Sequence, residues 1–253
     1  MDQNEIKKRL EAFEQKKEKK EKVDTKKFFW KPTTGKQVVR IVPSKENPKY
    51  PFKEVFVHYG VNKFPMLALT NWGEKDPIVE FANDLKKKNN KEDWALGKKL
   101  SPKMRVFVPV IVRGEEELGT RLWEFGKEIY QELLKLAEDE EVGDYTSITN
   151  GRDITVETIS KEVTGNFARS SIRVKINQSP LLTESATKEQ IQNILNNQPS
   201  ILNIYERISY EKMKDILQEF LNPSEESEVV VSESTTTNGK TSKVEQFQDL
   251  FEK

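Results

Sequence analysis

The run SPKMRVFVPVIVRG, Ser101 to Gly114, leaves the chain few options. Alternate positions read Met104, Val106, Val108, Val110 and Val112, a period of two that belongs to a strand with a plain apolar face. The other parity reads Lys103, Arg105, Phe107, Pro109, Ile111 and Arg113. Cations and a ring therefore fall where a half-buried strand turns polar groups to solvent, and they ask for a partner.

Further strands are expected at Lys36 to Pro43, Lys53 to Gly60, Gly119 to Phe125, Arg152 to Ser160 and Ser170 to Ile176, each bounded by Gly, Pro or Asn signals. Helices are expected at Lys127 to Glu140, Thr187 to Asn197 and Tyr210 to Leu221. The second opens with Thr187 and Gln190 in capping-box spacing, and the third follows Ser209 as N-cap. Short strands with one helix inserted after Phe125 suit a small closed barrel of the OB type better than a βαβ sheet. The fold class expected is mainly β with helices (α+β), an OB-fold barrel core over residues 28–221. Within it, residues 61–97 read as an irregular insertion, broken by Pro65, Gly73, Pro77 and the run LKKKNNKED.

The two ends differ from the core. Residues 1–31 hold eleven Lys/Arg against seven Asp/Glu, and residues 222–253 hold three against seven. Residues 84–113 hold nine Lys/Arg against three acids, so a zero net charge conceals a basic arm, a basic centre and an acidic tail. In the arm (1–27), Ile6, Leu10 and Phe13 share one helical stripe, too little to stabilise a helix without a partner surface. In the tail, residues 222–243 are a Ser/Thr/Glu-rich stretch expected to be disordered. It ends in VEQFQDLFEK, where Val244, Phe247 and Phe251 sit at helical spacing among Glu245, Asp249 and Glu252, the pattern of an acidic docking peptide over 244–252.

Several chemistries are disfavoured. There is no cysteine and a single histidine, His58, so no disulfide framework, cysteine-based zinc site or histidine cluster can form. His58 reads as a structural histidine in a strand. No G-x-S-x-G, GxxxxGK[ST] or GxGxxG occurs, and acidic groups such as Asp139, Glu140 and Glu141 read as a solvated helix end. No enzyme, cofactor or metal is expected. Neither a signal peptide nor the roughly 20 apolar residues of a membrane span is seen, so a soluble cytosolic protein without a membrane partner is expected.

A single-stranded nucleic acid needs cations for phosphates and flat rings for bases. Lys103, Arg105 and Phe107 supply both on one parity. Arg121, Trp123 and Phe125 repeat the pattern on the next strand, Arg173 and Lys175 lie outward on the last, and Arg40 adds another outward cation. Phosphate contacts give affinity without sequence preference. A scaffold acting only through its two arms, or an RNA-binding version of the same surface, also fits these residues, whereas a nuclease lacks its carboxylate cluster.

The segments WKPTTGKQVVRIVPSK, PFKEVFVHYG and GTRLWEFGKEIYQELLKL, with weaker GRDITVE and IRVKI, resemble the single-stranded DNA-binding proteins of T-even-type tailed bacteriophages. The resemblance spans about Trp30 to Lys175, and both arms in kind. It implies an OB-fold that coats single-stranded DNA during replication, recombination and repair in the cytoplasm of an infected bacterium. It also implies a basic arm for cooperative self-association, here Ile6, Lys7, Lys8, Arg9, Leu10 and Phe13, and an acidic tail that recruits replication and recombination proteins. The docking residues would be Val244, Phe247, Asp249, Leu250 and Phe251. Trp123 falls where the family has a DNA-contacting ring, Lys98, Lys99 and Lys103 fall in its basic run, and Lys127 ends its Phe-Gly-Lys step into a helix. Some members hold zinc with one His and three Cys; here His58 matches, but the segment Met66 to Val79 offers no cysteine. Apolar packing through Phe64, Leu67, Leu69, Trp72, Ile78 and Phe81 is expected in its place. The family's arm motif pairs Lys/Arg with Ser/Thr, whereas Leu10 and Glu11 follow Arg9. Acidic tail and basic groove in one chain further imply partial self-inhibition.

Overall fold

A computed structural model describes residues 25–88, 90–182, 186–222, 243 and 246–251. The arm residues from Ile6 to Phe13, and Val244 of the tail, lie outside the described residues. In chain order the elements are α1 (Thr25–Phe28), β1 (Phe29–Trp30), β2 (Gly35–Ile41), β3 (Lys53–His58), β4 (Met66–Leu67), α2 (Pro77–Lys87), α3 (Lys91–Leu100), β5 (Lys103–Val112) and β6 (Arg121–Phe125). They continue with α4 (Lys127–Glu138), β7 (Arg152–Ile159), α5 (Lys161–Thr164), β8 (Arg169–Gln178), α6 (Lys188–Asn196), α7 (Ile201–Ile204) and α8 (Tyr210–Leu221). This is a mixed α+β fold.

The strands hydrogen-bond in the order β1-β6-β5-β2-β7-β8, with β3 joined to β5 and β4 to β3. The expected closed barrel is not formed. Among the described residues the path ends at β8, which pairs with β7 alone, and at the two-residue β1, which pairs parallel with β6. No ladder joins these ends.

β5 divides its pairing between two strands. Its first half, Lys103 to Phe107, pairs antiparallel with β3, and Val110 to Val112 pair with β2. Pro109, which has no N–H to give a ladder, falls between the two pairings, and its carbonyl accepts from Val42 N–H at 2.9 Å. The chain divides into two compact units at this point. Unit one comprises residues 1–45, 109–123 and 144–199; unit two comprises 46–108, 124–143 and 200–253.

Unit one is built on β2, β7 and β8. Ladders run Gly35↔Thr158 to Val39↔Ile154 and Ile154↔Val174 to Ile159↔Arg169, with a register shift at Arg152/Ile154. Val42, Ile111 and Leu181 form a buried cluster on which Ile191, Ile194 and Leu195 of α6 pack. The expected capping box of Thr187 and Gln190 is present.

Unit two holds the segment read as irregular, and it is helical. Asp76 caps α2 by accepting from Ile78 and Val79 N–H at 2.9 and 3.1 Å, with Pro77 at the first helical position. Ile78, Phe81, Ala82 and Leu85 then repeat at helical spacing and are buried. Asn90 caps α3 through Glu92 N–H at 3.0 Å. Gly97 lets the two helices meet closely, because a Cβ there would stand 2.7 Å from the Ala82 carbonyl. The core collects Val61, Met66, Phe81, Leu85, Leu100 and Leu217. Of the residues expected to hold this region by packing, Leu67, Leu69, Ile78 and Phe81 are buried, Trp72 is half-buried, and Phe64 is exposed.

Candidate nucleic-acid interface

The twelve residues expected to contact nucleic acid divide between the units. Arg40, Arg121, Trp123, Arg173 and Lys175 lie in unit one. Lys98, Lys99, Lys103, Arg105, Phe107, Phe125 and Lys127 lie in unit two.

In unit one three of the five are not surface groups, which corrects the expectation from parity. Arg40 is fully buried. Its Nη1 donates to the carbonyl of Arg152 at 2.9 Å and to that of Tyr145, and its Nη2 donates to that of Ser147. Loop 144–152 is thereby wrapped around the guanidinium, and Gly151 permits it, since an added Cβ would run into Arg40 and the Ser147 carbonyl. Burial lowers Arg40 to about 10, with Asp153 opposing, so it remains charged at neutral pH. Arg121 is 6% exposed and pairs with Glu115 at 2.5 Å. Trp123 is buried edge-on to Trp30, ring centres 5.5 Å apart. Arg113, from the same outward parity, is clamped on Asp153 at 2.7 Å. Arg173 and Lys175 are exposed, on the same face of β8 as Arg169.

In unit two Phe107 and Phe125 are also core, 2% and 4% exposed, so neither offers a ring to a base. Phe125 faces Phe52 at 6.5 Å, and Phe52 meets Tyr130 at 5.5 Å. Tyr130 donates to Glu54 at 2.5 Å; burial and this neighbour push the phenol well above its ordinary value. Parity failed here because β5 is covered on both faces from Val106 onward.

What remains at the surface is a continuous stretch of chain. Lys98 and Lys99 end α3 and are exposed; Ser101 and Pro102 lead to exposed Lys103 and half-exposed Arg105. Arg105 Nε lies 3.1 Å from Tyr59 OH and 3.4 Å from Glu124, with the guanidinium 5.4 Å from the Tyr59 ring centre. Burial raises the Tyr59 phenol, which the Arg105 hydrogen bond partly opposes. Lys127, exposed, opens α4 just after Gly126, which packs beside Arg105.

Sequence reasoning gave no ring to this surface except the wrong ones. Trp94, 49% exposed, lies one turn before Lys98, whose Nζ is 5.1 Å from the indole centre. Phe56 on β3 is 40% exposed, opposite Met104 on β5. The signal for Trp94 was present as a Trp among lysines at helical spacing, but it requires α3 to be recognised first.

His58 is no metal ligand in this arrangement. Its Nε2 meets Asp76 Oδ2 and its Nδ1 the Leu100 carbonyl, each at 3.2 Å. Asp76 also accepts from Leu69 N–H at 2.8 Å, so this pair ties β3, α2 and the preceding turn together. Among the described residues no three His, Asp or Glu side chains converge as metal ligands, and the donor set does not fit zinc.

Comparison with protein families matches residues 33–222 to the family described as gp32 DNA binding protein like. The chain belongs to that family. Curated proteins provide no match. Membership makes the matched gp32-like part a DNA-binding domain, supports single-stranded DNA as its partner, and places it in a family that binds rather than catalyses. Among the described residues no helix is long and apolar enough to cross a membrane.

Proposed function

We propose that this gp32-like protein coats single-stranded DNA without sequence preference during phage replication, recombination and repair, in the cytoplasm of the infected host. The observation that carries this reading is the accessible run from Trp94 to Arg105, where a ring and four cations stand at the surface of a DNA-binding family domain. Lys98, Lys99, Lys103 and Arg105 neutralise phosphates, and Trp94 stacks on a base, with Lys127 in support and Phe56 as a second ring. In unit one, Arg173 and Lys175 on β8 are separate exposed cations that can also meet phosphates. Cooperativity through the arm and recruitment of replication proteins through the tail complete the proposal, on the charge plan of the sequence.

The test is tryptophan fluorescence during titration with a thymidine oligonucleotide. Trp30 and Trp123 are buried and Trp72 is half-buried, so Trp94, the most exposed of the four, supplies most of the quenching. Trp94→Phe removes that quenching, and Trp94→Ala weakens binding by about 1–3 kcal/mol. Undiminished quenching in Trp94→Phe excludes α3 as the stacking element.

A further inference from the structure

Residues 246–251 are helical and rest on unit two's own helices. Phe247 is fully buried among Phe81 and Leu85 of α2 and Leu217 and Leu221 of α8. Its ring lies 6.1 Å from Phe81 and 4.9 Å from Phe251, one turn on, which meets Tyr210 edge-on at 6.5 Å. Lys214 Nζ stands over both phenylalanine rings, at 5.9 and 5.6 Å, and donates to the Phe251 carbonyl at 3.4 Å. Upstream, Lys243 pairs with Asp93 on α3. Gln248, Asp249 and Leu250 face outward.

Two aromatic anchors four residues apart, seated in an apolar cleft between helices, form a helix-in-groove contact. One and a half turns of helix have no stability of their own, so the groove must supply their order. In the sequence twenty residues, 223–242, stand between α8 and the segment, so groove and segment meet within one chain.

We propose that the α2/α8 groove is a peptide-binding site for a short helical segment with aromatic residues at i and i+4, and that the chain's own C-terminus is its resident ligand. Phe247 and Phe251 are the same rings a partner would need, so the groove competes with any such partner for them and sets how often the tail is available. The seat differs from electrostatic masking of the basic surface. Its anchors are apolar, so salt does not release it. It does not depend on the DNA-binding reading, since neither the groove nor its ligand uses Lys98, Lys103 or Arg105.

The experiment uses the full chain and a fluorescein-labelled peptide of residues 243–253, read by anisotropy. A tether presents its segment at about 1 mM, so for a peptide Kd of about 10 µM the wild type binds added peptide roughly 100-fold more weakly than the Phe247→Ala/Phe251→Ala variant, whose groove is vacated. A peptide carrying the same two alanines does not bind, and affinity is alike at low and high salt. Equal uptake by wild type and variant, no uptake by a variant that keeps its thermal melt, or binding lost in salt overturns the proposal. If the variant loses its melt, the wild type decides: excess unlabelled peptide must speed hydrogen exchange at 246–251, and unchanged exchange refutes the site.

Discussion

Arg40 and Arg105 look alike in the sequence, each a cation inside an apolar strand run at a parity expected to face solvent. They end in different units and in opposite circumstances. Loop 144–152 closes over Arg40 and takes its terminal nitrogens into backbone carbonyls. Arg105 meets Tyr59 and Glu124 along one edge, and about a third of its side chain stays exposed. A buried guanidinium bound to carbonyls acts on the fold; a half-exposed one can act on a ligand. The difference is made by segments far away in the chain, so the strand pattern alone cannot separate the two.

The largest effect comes from breaking the buried member. Arg40→Ala leaves the carbonyls of Tyr145, Ser147 and Arg152 without their donor, and its expected cost is about 4 kcal/mol of unfolding free energy, measured by urea denaturation. The salt slope of DNA binding by the folded fraction should stay unchanged. Gly151→Ala perturbs the same contact and should be less than additive with Arg40→Ala. A small stability loss in Arg40→Ala would mean that loop 144–152 is held by other contacts.

The buried His58–Asp76 pair offers a second break, smaller and dependent on pH. Burial pushes Asp76 up, but the hydrogen bond and charge of His58 and the N–H groups of Leu69 and Val79 outweigh it, so its carboxyl titrates below the ordinary value. A carboxyl lowered in the folded state contributes stability above its unfolded pKa, and loses it as pH falls through the folded one. Asp76→Asn turns an amide N–H toward donors and should cost about 2 kcal/mol at neutral pH. The gap between variant and wild type should narrow as pH falls below about 4, the ordinary aspartate value, because the unfolded chain then takes up a proton that the folded carboxyl, held lower, accepts only at still lower pH. A gap that stays constant down to pH 2 would assign the loss to packing rather than to charge.

Strands were largely legible, because period-two runs between Gly, Pro and Asn place β2, β3, β5, β6, β7 and β8 within a few residues of where they form. Helices α2 and α3 were not. Pro77 reads as a breaker until Asp76 is recognised as the cap before it, and LKKKNNKED hides the end of one helix and the start of the next. The cations at Lys98, Lys99, Lys103 and Arg105 were found as surface groups, whereas Phe107, Trp123 and Phe125 were misplaced. Outward parity presumes one open face, and β5 carries Phe107, Pro109 and Ile111 on its second face, a sign of a strand covered on both sides.

The smallest effect is the sharpest, because it reads the ligand-facing member alone. Arg105→Ala removes a partly exposed pair with Glu124, so the stability loss should be near 0.5 kcal/mol. If Arg105 neutralises one phosphate, the variant should lower the slope of log affinity against log salt by about 0.7. Arg105→Lys keeps the charge, hence the slope, but gives up the planar fork against Tyr59, so affinity should fall with the slope intact. The two arginines then separate cleanly: one moves the melt without the slope, the other the slope with little change in the melt. A wild-type slope in Arg105→Ala would show that Glu124 already neutralises this cation, leaving Lys98, Lys99 and Lys103 to carry the phosphate contacts.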